Sequence, residues 1–274
     1  MRRGTSALAI ALIALVATPS VAAAYLTGIG DENWTMFKSP YYTALHSPIT
    51  RYIIPYDAID TQRGETAAWI HAAEAQGQQV LVAFYHSRRS ATRMPTVARY
   101  TLELRRFMAV FPEIKLYSPW NEANRGNVRI RGGGSFDSPT ASQSANYYLA
   151  LLKICPKCTV VGLDVLDSQS VSSTINYVHT FQRLVRRHPP KIWGLHNYTD
   201  TNRFHSTGTR AFLRAVKGQV WLTETGGLVQ LGGVFSNRKG SGLKRASKAL
   251  TYMFRLASSN PRITRLYIYS WFGG

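Results

Sequence analysis

The sequence predicts a single (β/α)8 barrel. Short apolar runs of strand length recur along the chain, amphipathic segments of helix length separate them, and polar residues gather just after each run. The runs are Tyr25–Gly30, Ile49–Pro55, Gln79–Tyr85, Lys115–Trp120, Thr159–Leu163, Lys191–His196, Gln219–Thr223 and Ile263–Trp271. Most are almost continuously apolar, as parallel strands covered on both faces must be.

Helices are expected in the gaps. Glu65–Gln76 is amphipathic and stops at Gly77, a residue suited to ending a helix. Thr96–Phe111 follows Pro95, which suits a first turn. Thr140–Ile154, Ser170–Arg187, Thr207–Val216 and Ser241–Ser258 follow. The first gap, Met36–His46, has no clear pattern. The chain stops at Ser270-Trp271-Phe272-Gly273-Gly274, directly after the eighth run, so the barrel is expected to lack its eighth helix, and carboxyl-terminal truncation is the favoured reading. An open, doubly wound sheet is the competing architecture. It would want a glycine-rich phosphate turn after the first strand, but Gly28-Ile29-Gly30-Asp31 has no third glycine and runs into acids.

Residues 1–24 stand apart from this rhythm. Arg2 and Arg3 precede an apolar run from Ala7 to Val16, and Ala22-Ala23-Ala24 offers a small-residue cleavage site. The pattern is that of a secretory signal peptide, and a secreted or extracytoplasmic location is expected. An uncleaved anchor is the alternative, but the run is shorter than the roughly 20 residues that a membrane span needs. Residues 25–274 contain no linker and read as one domain. The most glycine-rich loop is Arg129–Ser135. The two cysteines, Cys155 and Cys158, could be a redox pair or half a zinc site in a cytosolic chain; in an oxidising compartment a local disulfide is expected.

Lys and Arg number 33 against 14 Asp and Glu, a formal charge of +19. Such a chain is drawn to polyanions. The basic residues are scattered, among them Arg88, Arg105, Arg183 and Lys244, and they form no nucleic-acid-binding motif. No specific nucleic-acid partner and no membrane span are expected. A solvated basic surface is one reading of the charge, and an acidic polysaccharide or anionic envelope partner is the other. A monomer is expected.

In an α/β barrel, chemistry gathers at the carboxyl ends of the strands. Those ends supply Asp31, Glu32 and Asn33; Tyr56 and Asp57; His86; Asn121 and Glu122; Asp164 and Asp167; His196, Asn197 and Tyr198; Glu224; and Trp271. The set is rich in carboxylates, amides and aromatic rings. It has no serine nucleophile motif and no metal-ligand spacing, so no metal and no cofactor are expected. Glu122 after the fourth strand and Glu224 after the seventh would face each other across one mouth. Two facing carboxylates are the minimum equipment for cleaving a glycosidic bond.

Trp120-Asn121-Glu122-Ala123-Asn124, Thr223-Glu224-Thr225-Gly226 and Trp271 together resemble the clan A retaining glycoside hydrolases, with family 39-like and family 5-like barrels the nearest in pattern. The resemblance covers the whole of residues 25–274. It implies Glu122 as acid/base and Glu224 as nucleophile, with their carboxyl groups roughly 5 Å apart. It further implies Asn121 on the hydroxyl next to the reacting carbon, Tyr198 holding Glu224 ionised, His196 lining the same subsite and Trp271 as an apolar floor. Asp57 and His86 complete the substrate-binding set. Arg51 joins it by analogy with an arginine that the clan places near the nucleophile, although Arg51 lies near the start of its strand. The acid/base is expected to have a raised pKa, partly through the charge of its partner. A polysaccharide or oligosaccharide is the implied substrate. A non-catalytic carbohydrate-binding or polyanion-binding barrel is the alternative.

Overall fold

The computed structural model describes residues 25–126, 138–167, 170–232 and 234–272. Residues 1–24, read above as a signal peptide, and the Arg129–Ser135 loop lie outside them. Nine strand segments run parallel: β1 (Leu26–Gly30), β2 (Ile49–Pro55), β3 (Gln79–Tyr85), β4 (Leu116–Ser118), β5 (Thr159–Val160), β6 (Asp164–Leu166), β7 (Ile192–His196), β8 (Gln219–Thr225) and β9 (Ile263–Tyr269). Between them lie α1 (Pro40–Thr43), α2 (Ala58–Thr61), α3 (Arg63–Ala75), α4 (Val97–Val110), α5 (Ala141–Ile154), α6 (Val171–Leu184), α7 (Tyr198–Arg203), α8 (Thr207–Ala215) and α9 (Ser241–Ser258). The ambiguous first gap holds a 3-10 turn, Trp34–Lys38, followed by the short α1. Among the described residues, no helix follows β9 and none is long and apolar enough to cross a membrane.

The sheet order is β5-β4-β3-β2-β1-β9-β8-β7-β6. Its two end strands are halves of one stave. The fifth apolar run breaks at Val161-Gly162-Leu163, where Pro190 packs into the space that a Cβ on Gly162 would need. Hydrogen bonding continues across the break. Val161 N–H donates to Tyr117 of β4 at 2.8 Å, while Gly162 N–H donates to Ile192 of β7 at 2.9 Å. The segment thus passes its bonds from β4 to β7 and closes an eight-stave (β/α)8 barrel. The open-sheet alternative is excluded because the first strand pairs with the last, β1 with β9, and the fifth stave bonds to both β4 and β7.

Helix starts follow their sequence signals. Thr140 and Gln143 form a reciprocal capping box at α5, and the Thr96 side chain caps α4. Gly77 ends the α3 region at φ +68°, a conformation that glycine adopts without strain. The Cys155–Cys158 disulfide joins the end of α5 to the start of β5, with Cα atoms 5.3 Å apart. It lies at the amino-terminal end of the strands, away from the mouth.

Side chains alternate in and out along a strand. Ile49, Leu81, Leu116, Val161, Trp221 and Tyr267 come from six different staves and pack together as an apolar floor inside the barrel. A larger cluster between the sheet and the helices forms the outer core. Two residues above the floor, on the same inward face, the barrel turns polar: Arg51, Ser118, Thr223 and Tyr269 sit there, and Asp164 and His196 join them from the fifth and sixth staves. This layer needs small neighbours. A Cβ on Gly194 of β7 would run into Asp164 Oδ1 and come within 2.8 Å of Thr223 Oγ1. Replacing Gly194 with Ala is expected to destabilise the protein by about 1–3 kcal/mol, the usual range for an overpacked interior. Denaturant unfolding checks this, and an unchanged midpoint would show that the polar layer can yield.

Candidate active site

The mouth holds a cleft of about 310 Å³. Glu32 lines it from the end of β1; Ile53, Ile54 and Pro55 from β2; Tyr85, His86 and Arg88 from β3 and its loop; Asn121, Glu122 and Arg125 from the end of β4; Glu224 from β8; and Tyr269 from β9. These elements form one arc of the barrel, from β4 through β1 to β8. Another surface depression, lined by His179, Gln182, Arg183 and Arg186, lies on α6 and holds none of the strand-end residues.

Arg51 organises the site from below. It is 1 % exposed. Its Nη1 donates to Glu224 Oε2 at 2.7 Å; its Nη2 donates to Asn121 Oδ1 at 2.6 Å and to Asp164 Oδ2 at 3.0 Å. Its position near the start of the strand is no obstacle, because it stands one inward layer above the floor and its long side chain covers the remaining height. Burial disfavours its charge, but Asp164 and Glu224 outweigh that and hold it firmly protonated.

His196 lies fully buried behind the two glutamates rather than on the cleft wall. Its Nδ1 is 3.1 Å from Glu122 Oε1 and 3.7 Å from Glu224 Oε2, and its Nε2 is 3.1 Å from Asp164 Oδ1. Burial opposes a charged ring, yet Asp164, Glu224 and the hydrogen bonds lift its pKa to about 10. Arg51 Nη2 stands 3.3 Å from Nε2 and works against that, but three carboxylates prevail over one guanidinium. Asp164 is itself held well below the usual carboxylate range: burial raises its pKa, and His196 and Arg51 more than reverse the effect. Thr223 and Ser118 also donate to its carboxylate.

Glu122 departs from expectation. A raised pKa was expected from its partner's charge. Burial does push it upward, but the His196 hydrogen bond and the charges of His196, Arg125 and Arg51 pull it below its ordinary value. Arg125 Nη1 lies 3.1 Å from Glu122 Oε2. The free site therefore holds Glu122 as a carboxylate between two cations. Its backbone has φ +47°, a left-handed conformation unusual for a residue with a side chain. Ala123 N–H fixes the turn by donating to Asp164 O at 2.9 Å. Across the cleft, Tyr198 at the start of α7 donates to Glu224 Oε1 at 3.1 Å. Burial and Glu224 raise the Tyr198 hydroxyl pKa well above its usual value, so it remains a donor.

One carboxylate oxygen of Glu122, one of Glu224 and a ring nitrogen of His196 lie within 4.8 Å of one another. The three have metal-ligand character. However, Arg51 and Arg125 already hydrogen-bond to these carboxylates, so fixed cations occupy the positions where an ion's charge would act.

Two substrate-set residues stand elsewhere. Asp57 accepts from Ser87 Oγ at 2.7 Å and ties the β2 turn to the β3 loop. Trp271 is not among the cleft-lining residues; it packs edge-on against Tyr42, with ring centroids 5.4 Å apart. Tyr269, two residues earlier, is the aromatic that lines the cleft, and its hydroxyl donates to Glu32 Oε2 at 2.7 Å. His86 and Asn121 line the cleft as read from the sequence. Glu32, Asp164, Arg88, Arg125 and Tyr269 were not in the substrate set. Glu32 and Asp164 carried the signal of lying at strand ends, and Tyr269 could have been found by counting inward positions along β9.

No protein-family model matches the chain, and no curated protein sequence matches it. Solved structures do. Xylanase 10B from Thermotoga petrophila RKU-1, in complex with xylobiose, superposes with a TM-score of 0.60 at 12 % identity, covering 90 % of this chain and 82 % of the xylanase. A GH10 endoxylanase from a sugarcane soil metagenome gives 0.64 at 11 %, covering 90 % and 85 %. The catalytic domain of a mannanase from Streptomyces sp. SirexAA-E gives 0.54 at 12 %, covering 90 % and 76 %. What they share with this chain is the fold.

A pH dependence of stability follows from His196. Its folded pKa of about 10 lies above the ordinary 6.5. Its contribution is complete below about pH 6.5 and fades as pH rises toward 10. The melting temperature of the protein is expected to fall across this window, and that of His196→Asn to fall less. Parallel curves would show that the ring is uncharged in the fold.

Proposed function

We propose that the protein is a secreted, retaining β-glycoside hydrolase that cleaves a polysaccharide or glycoconjugate by double displacement. The observation that carries this reading is the pair Glu122 and Glu224. They stand on opposing staves of one cleft, with carboxylate oxygens within 4.8 Å of each other. Retention calls for carboxyl groups about 5–5.5 Å apart, while inversion needs room for a water between them. The xylanase and mannanase neighbours support the reading at the level of fold.

In this reading Glu224 is the nucleophile. Arg51 and Tyr198 each hold one of its oxygens, which fixes the attacking carboxylate in place. It attacks the anomeric carbon and forms a glycosyl ester as the leaving group departs. Glu122 protonates the leaving oxygen. The free site keeps that proton on His196 Nδ1, one hydrogen bond from Glu122 Oε1. A sugar ring that displaces water from between the carboxylates penalises the ionised form of Glu122, and the proton passes to it. Water then attacks the ester, with Glu122 acting as base. Asn121, oriented by Arg51, offers its amide N–H to the neighbouring hydroxyl.

The role assignment is tested by two variants. Glu224→Ala is expected to lose at least about 10⁴-fold in kcat, comparable to the loss of other covalent nucleophiles, and to recover partly in azide with inverted stereochemistry. Glu122→Ala is expected to retain activity on aryl glycosides with good leaving groups while losing it on natural linkages. Rescue of the Glu122 variant with inverted product would exchange the roles. Unchanged rates in both variants would remove the two glutamates from the chemistry, and no turnover by the wild type on any substrate would favour the binding-barrel alternative.

A further inference from the structure

The cleft is asymmetric in charge. On the β3 side, Arg88 lines it, with the half-buried His86 beside it and Arg125 on the next loop. On the β1 side stands Glu32, whose pKa is raised, chiefly by burial and further by Glu224, against the hydrogen bond from Tyr269. The cleft thus sets one acid wall against a basic one.

The arginines around this mouth are in different states. Arg51 is engaged through both terminal nitrogens, and Arg125 bonds Glu122. Arg89 donates to the Asp60 carbonyl, and Arg99 and Arg106 pair with Asp60 and Glu103. Arg88 has one ionic contact among the described residues, Glu65 Oε2 at 3.8 Å, with its side chain 58 % exposed and that of Glu65 68 % exposed. At that distance no hydrogen bond forms. The guanidinium fork is left for a cleft occupant.

Resting on the hydrolase reading, we propose that the sugar bound in the β1–β3 half of the cleft carries a carboxylate, and that Arg88 receives it. A guanidinium matches a carboxylate through two parallel N–H···O bonds, a geometry that a neutral hydroxymethyl group does not provide. A neutral sugar would leave Arg88 to water. The excess of 33 Lys and Arg over 14 Asp and Glu adds a long-range attraction for an acidic polymer.

The test pairs each of three uronic-acid polymers with β-linkages (glucuronoxylan, mannuronate-rich alginate and hyaluronan) with its own carboxyl-reduced form, so that backbone and linkage are constant within a pair. Turnover is read as kcat/KM and binding as retardation in affinity electrophoresis, for wild type, Arg88→Ala and Arg88→Lys, with melting curves as a check on folding. For at least one pair the wild type is expected to favour the acidic polymer by about tenfold or more, the factor that one charge-assisted contact of about 1.4 kcal/mol gives. The ratio is expected to approach one in Arg88→Ala and to be intermediate in Arg88→Lys. Equal cleavage of acidic and reduced forms by wild type would overturn the proposal and leave the hydrolase reading standing. A preference unchanged in Arg88→Ala would overturn the assignment to Arg88. If no polymer or aryl glycoside is cleaved, the hydrolase reading fails. The binding ratio then decides: an acidic preference lost in Arg88→Ala supports the carboxylate site, and no preference overturns it.

Discussion

Everything at the mouth depends on one buried cation. A guanidinium out of water is tolerable only if its charge and donors are met. Arg51 meets its charge and engages both terminal nitrogens with Asp164 of β6, Asn121 after β4 and Glu224 of β8, leaving only its Nε without a partner. Counting its own β2, four staves are tied at one point inside the barrel. Removing the arginine would strand two carboxylates beside a protonated histidine, and removing either carboxylate would strand the arginine. The layer is therefore a unit. It holds the barrel in register and Glu224 in place by the same contacts.

The vertical order of the interior explains why this unit sits where it does. The floor is apolar and needs no partners. One pleat higher, polar groups are buried and bond chiefly to one another. At the rim, Glu122, Arg125 and Arg88 meet the cleft. Ser118, Thr223 and Gly194 are small because the middle layer must accommodate the Asp164 carboxylate and the two cations that bind it. Electrostatic preorganisation of the rim is thus built two residues beneath it, on rigid strands rather than on loops.

Most of the barrel was legible because parallel strands announce themselves as continuous apolar runs. The carboxylate pair was legible because strand ends have a fixed meaning in such a fold. What escaped did so for local reasons. The fifth run was expected to end at Leu163, but the Gly162–Pro190 contact breaks it and restarts it at Asp164, so a residue read as lying at the strand end entered the barrel interior. Arg51 was weighed by its distance from the strand end, whereas its pleat direction and its length decide its reach. Trp271 had the right chemistry for a sugar platform, but packing against Tyr42 engages it and leaves Tyr269 facing the cleft. The six polar residues of α7 give no amphipathic signal, so the helix that opens at Tyr198 was not foreseen. The sign of the Glu122 shift was out of reach, because it depends on which cations lie within hydrogen-bond distance in three dimensions.

The left-handed turn at Glu122 places two requirements on one position in opposition. The backbone there suits glycine or asparagine, and a longer side chain in that conformation costs about 1–2 kcal/mol. The acid/base role proposed for it wants a glutamate. A chain drifting under selection for stability alone would lose the carboxylate at this position sooner than at Glu224, whose strand backbone tolerates it. Glu122 is thus the residue whose presence in a sequence of this fold says most about whether selection for catalysis is still acting, and a relative with asparagine or glycine there would be the first candidate for a barrel that binds sugars without cutting them.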